Sequence, residues 1–217
     1  MLSAALGLLG SAASAATVTF DDQTLPSLFS SAGNYSFRTE SGNASNAALA
    51  FVGSGSSTGT TPAGVAALTT GGEVRHATTG ILDLRTGGTL TFDFLFGDST
   101  ATDFGAFENA DSSEDFIVAY SVDGGATFVE FARIDTEDAS YMGQFGSFSA
   151  LIPVLAQTAS TQLSFLQVRN SGAPYDHWAI DNVSIPTPVA AVPLPAGLPL
   201  ALAALGALGV NRARRQA

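Results

Sequence analysis

The run from Thr89 to Phe96 sets Leu90, Phe92, Phe94 and Phe96 at alternate positions, and Phe116, Val118, Tyr120 and Val122 repeat that period of two. Alternation of this kind puts one face of an extended strand into a core; it cannot lay an apolar stripe along a helix. Further strand signals fall at 17–21, 35–39, 47–52, 80–84, 127–134, 148–154, 161–169 and 177–185, with Gly, Ser, Thr, Asn and Asp between them. Within 17–186 no segment carries an amphipathic helical repeat. No internal repeat points to a propeller or a solenoid. Many short strands without helices predict an all-β domain, an antiparallel β-sandwich or jelly roll. Residues 53–64, rich in Gly, Ser and Thr, read as a loop.

Two local patterns refine this. Asp123-Gly124 supplies the positive φ of a tight hairpin, and the side chains of Ser121 and Asp123 can bind nearby amides. In the closing strand Trp178 and Ile180 share one face, whereas Val183 and Ile185 have the opposite parity. Either that strand is buried on both faces or a bulge sits near Asp181-Asn182. An Asp inside such a strand is costly unless it is paired, hydrogen-bonded or bound to a cation.

Charge and composition remove several functions. The chain of 217 residues has a net charge of -11, with no Lys, and residues 17–186 alone carry -14. Nucleic-acid binding needs a basic surface, which is missing. With no Cys, disulfides and thiolate chemistry are excluded, and two His leave little for a multi-His metal site. Neither a nucleophile elbow, a phosphate loop nor a dinucleotide fingerprint occurs. Many carboxylates are present, but no pair stands out as glycosidase machinery. Asp176-His177 are neighbours on a strand and point to opposite faces, so His177 is expected to pack beside Trp178, and His76 to lie exposed in a polar stretch. The chain therefore reads as a non-enzyme.

Both ends differ from the middle. Residues 2–9 form a short apolar run, and Ala13-Ser14-Ala15 matches a small-x-small peptidase pattern. Residues 1–15 are thus expected to be a helical signal peptide, leaving a sandwich domain at 16–186. A Pro-rich linker covers 187–193. Leu194 to Val210 is uncharged, and Arg212, Arg214 and Arg215 follow. As one helix this segment spans about 25 Å, the short end of the bilayer range, with its arginines on the cytoplasmic side.

Val192, Pro193, Leu194, Pro195 and Ala196, followed by an apolar helix and an Arg-rich terminus, resemble the VPLPA variant of the PEP-CTERM sorting domains, over residues 192–217. The resemblance implies export in a Gram-negative bacterium. It also implies an inner-membrane-held precursor, processing by an exosortase, and a surface or extracellular destination. Ser121–Phe128 resembles an Asp-box with Phe128 in place of Trp. Leu82–Leu84, Leu90–Phe92, Phe116–Gly125, Leu163–Phe165 and Trp178–Val183 together resemble the subrepeat of reelin-type, MAM-like jelly rolls. In jelly rolls of that kind the first and last strands run close together and carboxylates there hold structural calcium. Calcium takes six to eight oxygen ligands. One structural Ca²⁺ is therefore expected, with Asp22, Asp115 and Asp181 as ligands. For carbohydrate, Tyr141 and Tyr175 are the candidate ligand-binding residues, because both fall in loops while Trp178 reads as core. The resulting expectation is an exported adhesion or exopolysaccharide-associated structural protein; the alternatives are a carbohydrate-binding module and, behind it, a glycan-active enzyme.

Overall fold

The computed structural model describes residues 14–33, 35–40, 43–51, 75–97, 113–167, 169 and 176–187. They belong to one compact unit, Ala12–Pro188. The described strands are β1 (Ser14–Val18), β2 (Phe29–Gly33), β3 (Ser36–Glu40), β4 (Asn43–Phe51), β5 (His76–Thr79), β6 (Thr89–Phe96), β7 (Phe116–Ser121), β8 (Val129–Ile134), β9 (Gly146–Leu151), β10 (Gln162–Gln167) and β11 (Trp178–Thr187). One sheet runs β3-β4-β11-β6-β9, with β1 also on β11; the other runs β2-β5-β10-β7-β8. Every strand pair is antiparallel. Two such sheets face to face make the expected β-sandwich.

The alternating residues meet between the sheets. Leu90, Phe92, Phe94 and Phe96 from β6 join Phe116, Val118, Phe165, Trp178 and Ile180 in one buried core. Trp178 packs on Phe116 at 4.8 Å and on Phe94 at 6.1 Å between ring centroids. Burying each ring contributes about 1.5–3 kcal/mol. Alternation understates β7, which is buried along its whole length. Ile117 and Ala119 form a second buried cluster with Leu166 and Phe128.

The parity break in β11 is a bulge. The register against β6 shifts between Asp181 and Ser184, and Asn182 holds φ at 49°. Before it, Trp178–Ile180 pair with β4; beyond it, Val183–Thr187 pair with β1. The extra residue returns Val183 and Ile185 to the core that Trp178 and Ile180 already face. Of the two readings left open above, the bulge is the one adopted.

Several boundaries differ from the sequence reading. The first strand starts at Ser14, not at 17, so Ser14 and Ala15 of the small-residue pattern pair with Thr187 and Pro186. Residues 80–84 contribute one bridge, Leu82 to Thr161, and the strand of that region is β5 instead. β2 carried no alternating signal and was not expected. The described residues hold one short 3₁₀ turn, Val154–Ala156. No helix among them is long and apolar enough to cross a membrane. Of the expected signal helix 1–15, Ser14 and Ala15 are strand, and of the expected linker 187–193, Thr187 ends β11; the rest of both and the span 194–210 lie outside the described residues.

Candidate functional site

One end of the sandwich gathers most of the candidates. There β4, β6 and β10 end and β5, β7 and β11 begin, as the pairs Trp178–Phe51, Trp178–Phe96, Leu166–His76 and Gln167–Phe116 show. The connections 52–74, 98–112 and 170–175, outside the described residues, join strands at this end.

Tyr141 lies here, in the link between β8 and β9. Its loop is built from short Asp-anchored turns. Glu137 N donates to Asp135 Oδ1 at 2.8 Å, and Ser140 N donates to Asp138 Oδ1 at 2.9 Å. Phe96 N donates to the Tyr141 carbonyl at 2.8 Å, and Gly143 N donates to the Phe96 carbonyl at 2.9 Å, so the loop is sewn to the end of β6. The half-buried ring stands edge-on to Phe94 at 5.8 Å. A Cβ at Gly146 would come within 2.7 Å of the Ser140 carbonyl and 2.8 Å of the Tyr141 ring, so this position needs glycine. Burial and the nearby Asp138 raise the phenol's pKa. Part of the ring is thus committed to the core, and part stays exposed. Tyr35, at the same end, is the more exposed aromatic and packs edge-on to Phe37 at 5.6 Å. Tyr175 lies outside the described residues.

Beneath these loops is a buried polar group that sequence reasoning missed. Arg75 is 1% exposed; its Nη1 donates to the Asp176 carbonyl at 2.6 Å. Gln167 Nε2 donates to the Glu114 carbonyl at 3.2 Å, and Gln167 N donates to the Arg75 carbonyl at 3.3 Å. Glu114, Gln167, Asp176 and His177 are all buried. A buried guanidinium is tolerated only with partners of this kind. The group ties the starts of β7 and β11, the end of β10 and the residue preceding β5 into one floor. His177 packs inward beside Trp178, as expected. His76 is a correction: it sits half-buried in β5, and burial lowers its pKa. A polar stretch looked exposed because only tertiary pairing reveals that β5 is flanked by β2 and β10.

The three expected calcium ligands have separate engagements. Asp22 closes its own turn by accepting from Thr24 N at 3.0 Å, and the Thr24 side chain first, then this amide, lower its pKa. Asp115 accepts from Arg133 Nη1 at 2.7 Å. Asp181 is 5% exposed at the β11 bulge and accepts from Asn182 N at 2.7 Å. Burial first, then the charges of Asp21 and Asp93, push its pKa up to about 6. Among the described residues no group of three or more His, Asp or Glu side chains is placed to hold one metal ion. The carboxylates that influence Asp181 are therefore Asp21 and Asp93. The sorting motif Val192, Pro193, Leu194, Pro195 and Ala196 lies outside the described residues.

Comparison with known proteins completes the picture. The family model described as reelin subrepeat B matches residues 52–186, more than half of the chain. No curated protein matches. Among solved structures, the K1 cleaved adhesin domain of Lys-gingipain from Porphyromonas gingivalis W83 superposes with a TM-score of 0.50 at 14% identity, covering 81% of this chain and 99% of that one. The K3 adhesin domain of the same protein gives 0.48 at 16% identity, over 82% and 99%. A family 29 carbohydrate-binding module gives 0.47 at 11% identity, over 82% and 87%. At such identities the likeness is one of fold.

Proposed function

The chain belongs to the reelin subrepeat B family, and on that premise we propose that it is an exported surface or extracellular-matrix protein serving adhesion or association with exopolysaccharide, without catalysis. The observation that carries the reading is the tail. Val192–Ala196, an uncharged run to Val210 and a terminus with Arg212, Arg214 and Arg215 form three consecutive elements of an exosortase-type sorting signal. An uncharged stretch of that length has no polar face to present to water and suits a bilayer. The precursor is then held in the inner membrane by 194–210, with an exosortase-type enzyme as its processing partner. The shared fold with an adhesin domain is in keeping with an adhesive role. Removal of residues 192–217 tests this directly. The truncated protein should leave the cell envelope for the medium, and unchanged membrane retention would refute the anchor.

A carbohydrate-binding role is the second reading, favoured by the aromatic end of the sandwich. Tyr141, with Tyr175 in a connection at the same end, would offer rings to the apolar faces of sugars, while Tyr35 stands at the opposite edge of that end. Tyr141→Ala and Tyr175→Ala should weaken retention on exopolysaccharide, and unaltered retention in both would remove these residues. A structural Ca²⁺ remains part of the proposal in narrower form. Of the expected ligands Asp22, Asp115 and Asp181, only Asp181 is retained, because Asp22 and Asp115 are engaged elsewhere and no three such side chains among the described residues are placed to share an ion.

A further inference from the structure

Exposed apolar side chains are distributed unevenly over the described residues. Ile81, Val122, Val129, Leu151, Val154 and Leu155 are all exposed, and all lie at the end of the sandwich opposite Tyr141. The strand pairs fix that placement. Leu151 pairs with Thr89, Tyr120 pairs with Val129, and Ile81 precedes the Leu82–Thr161 bridge. Leu151, Val154 and Leu155 are each at least 75% exposed.

Their support is firm. Ile152, ahead of the 3₁₀ turn, and Ala156, its last residue, are buried. Ile152 N donates to the Gly88 carbonyl at 2.9 Å, and Thr161 Oγ1 donates to the Ala156 carbonyl at 2.7 Å. Gln157 Nε2 donates to the Ile152 carbonyl at 3.0 Å. Val154 and Leu155 are thus held out from the body on a pinned turn. A knob of branched apolar side chains in water is unfavourable, and such patches commonly mark a contact surface.

The chain's own course says what that contact is. β11 leaves the sandwich at this end, where Pro186 lies against Gly88, the residue that holds Ile152. Six residues, 188–193, then precede the uncharged run that starts at Leu194. Even as an extended Pro-rich strand at about 3.1 Å per residue they reach only about 20 Å. Charge agrees. Residues 151–162 carry none, whereas the connections at the opposite end hold Asp98, Asp103, Glu108, Asp111, Asp135 and Asp138 among others. The knob end also carries Asp83, paired with Arg85, and Asp123 in the β7–β8 turn, but the knob itself is uncharged and meets no repulsion of its own at an anionic bilayer surface.

We infer that the Leu151–Leu155 knob is a membrane-contacting lip, which dips into the lipid headgroup region while residues 194–210 span the bilayer. The inference rests on the anchor reading above. The lip turns the Tyr141 end of the sandwich outward, away from the lipid, and leaves it open to polymer.

The absence of cysteine makes the test clean. The full chain is reconstituted into phosphatidylethanolamine–phosphatidylglycerol vesicles that carry nitroxide at the headgroup or shallow acyl positions. Single-cysteine variants Val154→Cys, Leu155→Cys, Glu137→Cys and Leu202→Cys are labelled with bimane. Val154→Cys and Leu155→Cys labels should be quenched several-fold more than the Glu137→Cys label, and Leu202→Cys should report the bilayer interior. Quenching at Leu202→Cys alone would overturn the lip and leave the anchor standing. No quenching at Leu202→Cys would defeat the anchor and the lip together. A blue-shifted but unquenched Val154→Cys label would mean that protein covers the knob, and would likewise overturn the proposal.

Discussion

The side-chain amide of Asn182 donates to Asp93 Oδ2 at 2.8 Å, across the bulge where β11 slips its register against β6. The same residue holds a left-handed φ of 49°. Its second partner on that carboxylate is Ser147, whose Oγ donates to Asp93 Oδ1 at 2.6 Å, so three strands share one acceptor. Asn tolerates left-handed backbone, and a β-branched residue does not. Asn182→Val should therefore destabilise the domain by about 1–3 kcal/mol in urea unfolding. Asn182→Gly loses the Asp93 bond but keeps the backbone, and should cost much less. Equal losses would show that the bond, and not the backbone, governs this bulge.

Asp181 gives a pH dependence with a definite sign. Its folded pKa, about 6, lies above the unfolded value near 3.9. Between those limits the folded protein keeps a proton that the unfolded chain has released, so stability falls as pH rises from about 4 to about 6, and stays lower above. Asp181→Asn should flatten that slope and raise stability at pH 7 by on the order of 2 kcal/mol. Thermal melts of the two proteins from pH 4 to 8 measure it. The calcium proposal adds a second expectation at pH 7: added Ca²⁺ raises the melting temperature of the wild type and leaves Asp181→Asn unmoved. No response in the wild type would remove the ion.

In the β7–β8 turn the sign is reversed. Thr127 donates to Asp123 through its hydroxyl at 2.6 Å and its amide at 2.9 Å, and Ser121 Oγ donates to Asp123 Oδ1 at 2.7 Å. These bonds, led by the Thr127 hydroxyl, lower the Asp123 pKa to about 2. The stabilisation is present above the unfolded value and is lost as pH falls through the folded one. Asp123→Ala should melt below the wild type at pH 5, and the gap should close near pH 2. A gap that persists at pH 2 would mean that the carboxylate is not its source.

How much of this was legible follows from where the signal sits. β6 and β11 could be read residue by residue, because Leu90–Phe96 alternate strictly and the parity break at Asp181-Asn182 is itself a local pattern. β2 and β5 could not. Phe29–Gly33 and His76–Thr79 carry little apolar periodicity, and they are strands because β10 and β7 supply the ladder beyond them. Residues 80–84 misled for the converse reason. Leu82 and Leu84 alternate and are buried, yet Arg85 starts a turn, so the alternation is spent on one bridge. The buried Arg75 left no sequence trace, since its partners come from residues 167 and 176.

Trp178 marks the division between core and candidate surface. It is fully buried between Phe94 and Phe116. Trp178→Ala should cost about 3–5 kcal/mol, whereas Leu155→Ala on the exposed knob should stay within about 0.5 kcal/mol. Denaturant midpoints check both. A small effect at Trp178 would contradict its place at the centre of the sandwich.

The central claim is an exported protein sorted through its C-terminal segment, and mass spectrometry of the mature chain recovered from the producing cell tests it most directly. The predicted product comes from the cell surface or the medium, begins near Ala16, and ends close to the motif Val192–Ala196 with its arginine tail removed. Recovery from the cytoplasm of a chain that still runs from Met1 to Ala217 would contradict the claim.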